Sequence, residues 1–327
     1  MSVIACLHQS CRAIIRRMSK LRALPFFIAT LTVCVFGGPA HCQSRSDSPK
    51  WQLKKLAFEV SDEFLHNDIY VMDVSGSKPR RLVEGISPAW SPDGQKIAYG
   101  KRDAGRFGQI YVISADGSAR RQLTRVKDGA CFPDWSPDGE KIAYTAGLGS
   151  KSYTIWVISK DGENAKSITE GLGARWSPDG TRLAFLRNPK KPGEKGTIWV
   201  VNSDGTGERM VVLESPAWEL AWYPDGKSIA FASKRDGKWA IFRVNLDGTG
   251  LTRIASDERA SVFSPLFSPD GLQLLADGFP VRKSSEVPTS LMEAGAGNGT
   301  ILLIDLTGHP TKVLAHGIHP SAVWAHE

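Results

Sequence analysis

Five histidines lie beyond residue 42: His66, His309, His316, His319 and His326. The pair in His316-Gly-Ile-His319 has a spacing at which both imidazoles can reach one divalent metal. His66 has carboxylates beside it in Glu63 and Asp68. A site built from His66, His316 and His319 would support metal-assisted lyase or hydrolase chemistry. No other catalytic signature accompanies it. The chain has no G-x-S-x-G elbow, no phosphate-cradling glycine loop and no H-E-x-x-H pair. Cys131 is the single cysteine after residue 42, has no histidine near it in sequence, and reads as a small buried hydrophobe. No catalytic residue is assigned. No cofactor motif is present either, and a divalent metal is the one group these side chains leave room for.

A second series is more regular. Asp93, Asp138, Asp179, Asp225 and Asp270 recur at intervals of 45, 41, 46 and 45 residues. Each sits at the same place in one pentapeptide: Trp-Ser-Pro-Asp-Gly at 90–94, 135–139 and 176–180, drifting to Trp-Tyr-Pro-Asp-Gly at 222–226 and Phe-Ser-Pro-Asp-Gly at 267–271. Proline presets the turn, the aspartate side chain caps it, and glycine takes the dihedral that other residues resist. These carboxylates therefore read as turn formers and not as metal ligands. Trp90, Trp135, Trp176, Trp222 and Trp324 likewise read as core between repeats, not as a stacking platform.

The elements that hold these residues are short strands. After each pentapeptide comes an apolar triplet, I-A-Y at 97–99 and 142–144, L-A-F at 183–185, I-A-F at 229–231 and L-L-A at 274–276. A second run follows, such as I-Y-V at 110–112 or I-W-V at 155–157 and 198–200, then in most repeats a D-G turn and a basic segment such as R-R-L-V at 80–83. Runs this brief and this rich in β-branched and aromatic residues suit strands covered on both faces. Four strands in a unit of about 45 residues make one propeller blade. Lys55-Leu56-Ala57-Phe58 matches the second strand of a unit with no pentapeptide before it, and Ala322-Val323-Trp324-Ala325 matches an innermost strand with nothing after it. Each end supplies what the other lacks. The expected fold is all-β: a six-bladed propeller of four-stranded antiparallel blades, its ring closed by the C-terminal strand, with an innermost strand at 321–325 joining outer strands from 54–83.

The W-S-P-D-G turn, the I-A-[YF] strand and the I-[YW]-V strand resemble the TolB-type β-propeller family of WD-like repeats, over residues 54–327. The resemblance implies a bacterial periplasmic protein. It also implies an enzyme alternative, since some propellers of this type are polysaccharide lyases that use channel histidines with a metal. The family's namesake carries an α/β domain before its propeller. Here about a dozen residues separate a cut near Ala40 from the first strand, so a free-standing propeller is expected.

Residues 1–42 read as a signal peptide. Residues 23–38 are apolar and uncharged, Lys20 and Arg22 precede them, and Gly38-Pro39-Ala40 supplies small residues for cleavage. Met18 would give a conventional short start. Five of the seven net positive charges lie in this leader, leaving residues 43–327 close to neutral, which gives no support for nucleic-acid binding. Residues 43–53 read as a polar linker. No membrane span is expected once the leader is removed, and a monomer is expected. The partner is an envelope protein or a carbohydrate or peptide ligand.

Antiparallel order places the S-P-D-G and D-G turns on one face of the ring. The irregular connections, 101–109, 146–153, 188–196, 233–238 and the longest at 277–299, fall on the other. Function concentrates on variable loops carried by a rigid frame. The expected binding residues stand just before or within the innermost strands: Ser87, Phe132, Arg175, Glu219, Ser264 and His319. Arg282 and Lys283 lie on the 277–299 connection, which is long enough to lean over the opening.

Overall fold

The computed structural model describes residues 51–326 apart from the stretches 62–66, 103–107, 149–151, 189–195, 215–216, 257–259, 281–298 and 308–310. The leader, most of the expected linker, His66 with Glu63, and Arg282 with Lys283 lie outside the described residues. The described chain forms 24 strands in six four-stranded sheets. Blade 1 joins the two ends of the chain. Its innermost strand is Ile318–His326, followed outward by Trp51–Ser61, Asn67–Asp73 and Arg80–Glu84. Blades 2 to 6 are consecutive, with innermost strands Ile86–Trp90, Ala130–Trp135, Leu172–Trp176, Ala217–Trp222 and Ala260–Phe267. These six strands touch one another in turn, so the ring is complete.

The turn chemistry is as the pentapeptide dictates. Ser91 Oγ donates to Asp93 Oδ1 at 2.5 Å, Asp93 Oδ1 accepts the amide of Gln95 at 3.0 Å, and the Gly94 amide closes the turn on Ser91 O at 2.8 Å. The same bonds recur around Asp138, Asp179 and Asp270. Hydrogen bonds from the serine hydroxyl and the backbone hold the carboxyls of Asp93, Asp138 and Asp179 below the usual range, that of Asp179 down to about 2. Basic residues on the outermost strands of blades 1 to 3 tie each of these to the next blade. Arg80 donates to Ala115 O at 2.5 Å, Arg121 to Lys160 O at 2.7 Å and Lys166 to Asp204 O at 2.9 Å, each at a D-G turn.

The core lies between blades. Trp90 is buried among Ala57, Ile69 and Val71 of blade 1 and Ile97 and Tyr99 of its own blade. Trp135, Trp176 and Trp222 repeat this at the following joints. The closing strand differs from its expected alignment. Leu56 pairs with Ala322 as Ile97 pairs with Trp90, so Ala322 holds the tryptophan position and Trp324 pairs two residues further on, with Leu53. Blade 1 has no Ser-Pro-Asp-Gly turn between its first two strands. Their ladder therefore runs on to Trp51 opposite His326, and the propeller begins inside the segment read as linker. Trp324 is only partly buried, against Leu53, Leu56 and Leu275.

Entry to the innermost strand is tight. A Cβ on Gly317 would sit 2.4 Å from the Phe58 ring and 2.7 Å from Glu59 O, and one on Gly171 would sit 2.4 Å from the Phe185 ring. Backbone on one side and a buried ring on the other leave neither neighbour free to move. Gly317→Ala should lower stability by about 1–3 kcal/mol, the usual cost of overpacking. Urea unfolding checks it, and an unchanged midpoint would show that the closing strand enters elsewhere.

Candidate functional site

Each innermost strand has a register irregularity, with a second further along in blade 1, and one residue at the first takes left-handed backbone. Those residues are Ser87, Phe132, Glu219, Ser264 and His319, with φ of 51°, 52°, 38°, 50° and 50°, and Gly173 at 63° in blade 4. Only glycine adopts this conformation without strain, at about 1–2 kcal/mol for other residues. Five side-chain-bearing residues held this way at equivalent positions form a ring at the mouth of the central opening, and such strain collects at functional sites. Polar side chains of the preceding blade's second strand secure the strained amides. Ser87 N donates to Glu59 Oε2 at 3.1 Å, Gly173 N to Thr145 Oγ1 at 3.0 Å, and His319 N to Asp277 Oδ2 at 3.3 Å.

At one side of the mouth these groups merge into a single cluster drawn from three blades. The His319 ring lies between two glutamates, with Nδ1 3.1 Å from Glu59 Oε2 and Nε2 2.9 Å from Glu219 Oε1. Ser264 Oγ bridges Glu219 Oε2, by a very short contact, and Asp277 Oδ2, at 2.8 Å. Glu59 and Asp277 are buried, Asp277 completely. Donor atoms of Glu219, Asp277 and His319 lie within 4.8 Å of one another, a grouping that could hold a metal ion.

Electrostatics follow from this crowding. Burial alone would lower the His319 pKa, but Glu219 and Glu59 hold it well above the ordinary value, so the ring is an imidazolium donating from both nitrogens. Burial would raise Glu219, and the adjacent imidazolium more than offsets it, leaving that carboxyl below its usual range. Asp277 has no such partner. Burial, with the Glu219 charge beside it, pushes its carboxyl up to about 7. The bonding agrees, because one Ser264 hydroxyl proton cannot serve two carboxylates. The network is satisfied when Asp277 carries a proton, donates it to Ser264 Oγ, and Ser264 donates to Glu219. Beside the cluster, burial raises Asp134 to about 6 although Arg175 lies 3.9 Å away.

The profile of the TolB β-propeller domain matches residues 39–173 and 146–279, together well over half of the chain. The chain belongs to the TolB β-propeller domain family. It is similar to the uncharacterised peptidase YuxL of Bacillus subtilis, 31% identical over 105 residues, which are 31% of this chain and 16% of that protein. It is also similar to the Tol-Pal system protein TolB of Hahella chejuensis, 35% identical over 80 residues, 22% of this chain and 18% of that one. The chain thus spans less than a fifth of either relative. Among solved structures, putative TolB from Agrobacterium tumefaciens superposes with a TM-score of 0.60 at 20% identity, covering 84% of this chain and 99% of that one, a likeness of fold.

On this TolB-type frame the expected mouth residues Ser87, Phe132, Glu219, Ser264 and His319 occupy the strained ring. Arg175 does not. The equivalent position in blade 4 is Gly173, and Arg175 stands two residues along the strand, beside Asp134. Of the three histidines expected to share a metal, His319 falls within the metal-capable group. His316 is exposed at the end of the outermost strand of blade 6, Lys312–His316, and His66 lies outside the described residues. Glu59 and Asp277 are the residues the sequence reading passed over. Both directly follow the apolar triplet of a second strand, where the other blades carry Gly100, Thr145, Leu186 and Ala232. A carboxylate closing a run buried on both faces is the signal that could have found them.

Proposed function

We propose that this TolB-type propeller is an exported binding scaffold of the cell envelope, and that its partner docks on the face carrying the irregular connections. The charged cluster at the mouth of the opening carries this reading. It gathers side chains from three blades onto one face, while the opposite face repeats a single turn chemistry. Strained backbone and desolvated polar groups gathered at one place are the arrangement of a recognition site on a rigid frame. Export follows from the apolar leader at 23–38 preceded by Lys20 and Arg22. The partner is an envelope protein, or a carbohydrate or peptide ligand.

The test is capture from envelope extract with the protein recovered from the exported fraction, its mass showing removal of the leader. Replacing Arg175 and His319 together by alanine should reduce capture at least tenfold. Substituting exposed Asp116, Asp204 and Asp247 in the D-G turns of the opposite face should leave capture unchanged. The reverse pattern would place the partner on the turn face.

A further inference from the structure

We propose that Glu219, Asp277 and His319 form a binding site for one divalent cation of the manganese–zinc class at the mouth of the central opening. Three observations carry it. First, donor atoms from the three residues lie within 4.8 Å of one another, and Glu219 Oε1 and His319 Nε2 are only 2.9 Å apart. Ligand atoms bound at about 2.1 Å to one ion stand roughly 3 Å from each other, so a cation between Glu219 and His319 asks for a small widening of that pair, and the Asp277 carboxylate closes on it from within 4.8 Å. Second, Asp277 is fully buried and its Oδ1 has no hydrogen-bond partner, although Oδ2 engages Ser264 and the His319 amide. A buried carboxylate oxygen without a partner is costly unless something fills its coordination. Third, acid is in excess. Glu59, Glu219 and Asp277 gather around a single imidazole, and Arg175, whose charge reaches Glu219, makes its ion pair with Asp134 at 3.9 Å.

Two carboxylates and one imidazole nitrogen select against an all-oxygen calcium or magnesium site and suit manganese or zinc. The Ser264 hydroxyl joins Glu219 to Asp277 and Glu59 holds the far nitrogen of His319, so both sides of the site are braced. Outer-shell bonds of this kind fix ring orientation in metal centres. Metal binding by the isolated chain is independent of any docked partner.

The probe is Mn2+ added to untagged, chelator-stripped protein, with loss of the free-ion electron paramagnetic resonance signal as readout. About one ion should bind per chain, with Ca2+ competing at least tenfold less well. The bound ion should show nitrogen coupling from one imidazole in spin-echo modulation. Asp277→Asn and Glu219→Gln should each weaken binding at least tenfold, and His319→Gln should abolish the nitrogen coupling. Asp225→Asn, in a turn on the opposite face, should bind as the parent does. Absence of saturable binding, binding unchanged in the variants, or a bound ion without nitrogen coupling would each overturn the site. Partner capture is a separate measurement, so failure of one does not imply failure of the other.

Discussion

A chain cut after Gly317 is expected to lose its cooperative melting transition and to partition into the insoluble fraction. The strand Ile318–His326 pairs along Trp51–Ser61 from Trp51 opposite His326 to Glu59 opposite Ile318. Its removal exposes the whole edge of that strand, a template for association with other chains. It also uncovers Leu53 and Leu56, both buried, and takes away Trp324, which packs against them. Loss of partly buried Trp324 costs less than the roughly 3–5 kcal/mol of a fully buried aromatic, but it comes together with the loss of the whole ladder, against the roughly 5–15 kcal/mol that holds a whole domain. The damage extends beyond blade 1. Ser321 Oγ accepts the Trp90 amide at 2.9 Å, Val323 packs into the joint between blades 1 and 2, and the strand also touches the innermost strand of blade 6. Calorimetry and sedimentation of the truncated protein check this. A soluble product with the parent's melting temperature would mean that the ring does not depend on its closing strand.

The repeat made most of this architecture legible because local chemistry and global closure carry the same signal. A proline–aspartate–glycine turn has few alternatives, and five copies of it set the strand order and the turn face. Register at the closure was harder. Trp324 looked like the repeated tryptophan, yet blade 1 lacks the turn that limits the ladder elsewhere, so the strand runs on and Ala322 takes that place. Arg175 stands within its innermost strand as expected, whereas the backbone irregularity falls on the residue three before Trp176, and that is Gly173. The cluster was only half legible. His319, Glu219 and Ser264 sit at an equivalent place in their strands, so position along the repeat reveals them. Glu59 and Asp277 occupy a position that the other blades fill with Gly, Thr, Leu or Ala. Glu59 meets His319 across 260 residues of chain, and only ring closure brings them together.

Metal-free protein should show opposite responses to two substitutions in this one cluster. His319 is an imidazolium wedged between Glu59 and Glu219. His319→Gln leaves buried Glu59 and half-buried Glu219 without their counter-charge. Breaking a fully buried ion pair costs about 3–5 kcal/mol, and this partly exposed one should cost less but remain destabilising. Asp277 works the other way. Its carboxyl titrates near 7 in the fold against 3.8 ordinarily. Between those values the unfolded chain loses the proton and the folded chain keeps it, so stability falls as pH rises from about 4 to about 7. His319 adds to the same slope higher up. Its folded pKa is raised above 6.5, so its contribution is complete below that value and is lost as pH climbs through the raised one. Asparagine at 277 cannot ionise. Asp277→Asn should therefore match the parent near pH 4 and exceed it at pH 8 by about 2 kcal/mol, within the roughly 1.4 kcal/mol that each unit of pKa difference represents. Urea unfolding of both variants and the parent at pH 4, 6 and 8, in chelator, separates the cases. If Asp277→Asn is no more stable than the parent at pH 8, the aspartate is ionised and paid for within the fold, and the chain of bonds from Asp277 through Ser264 to Glu219 carries no shared proton.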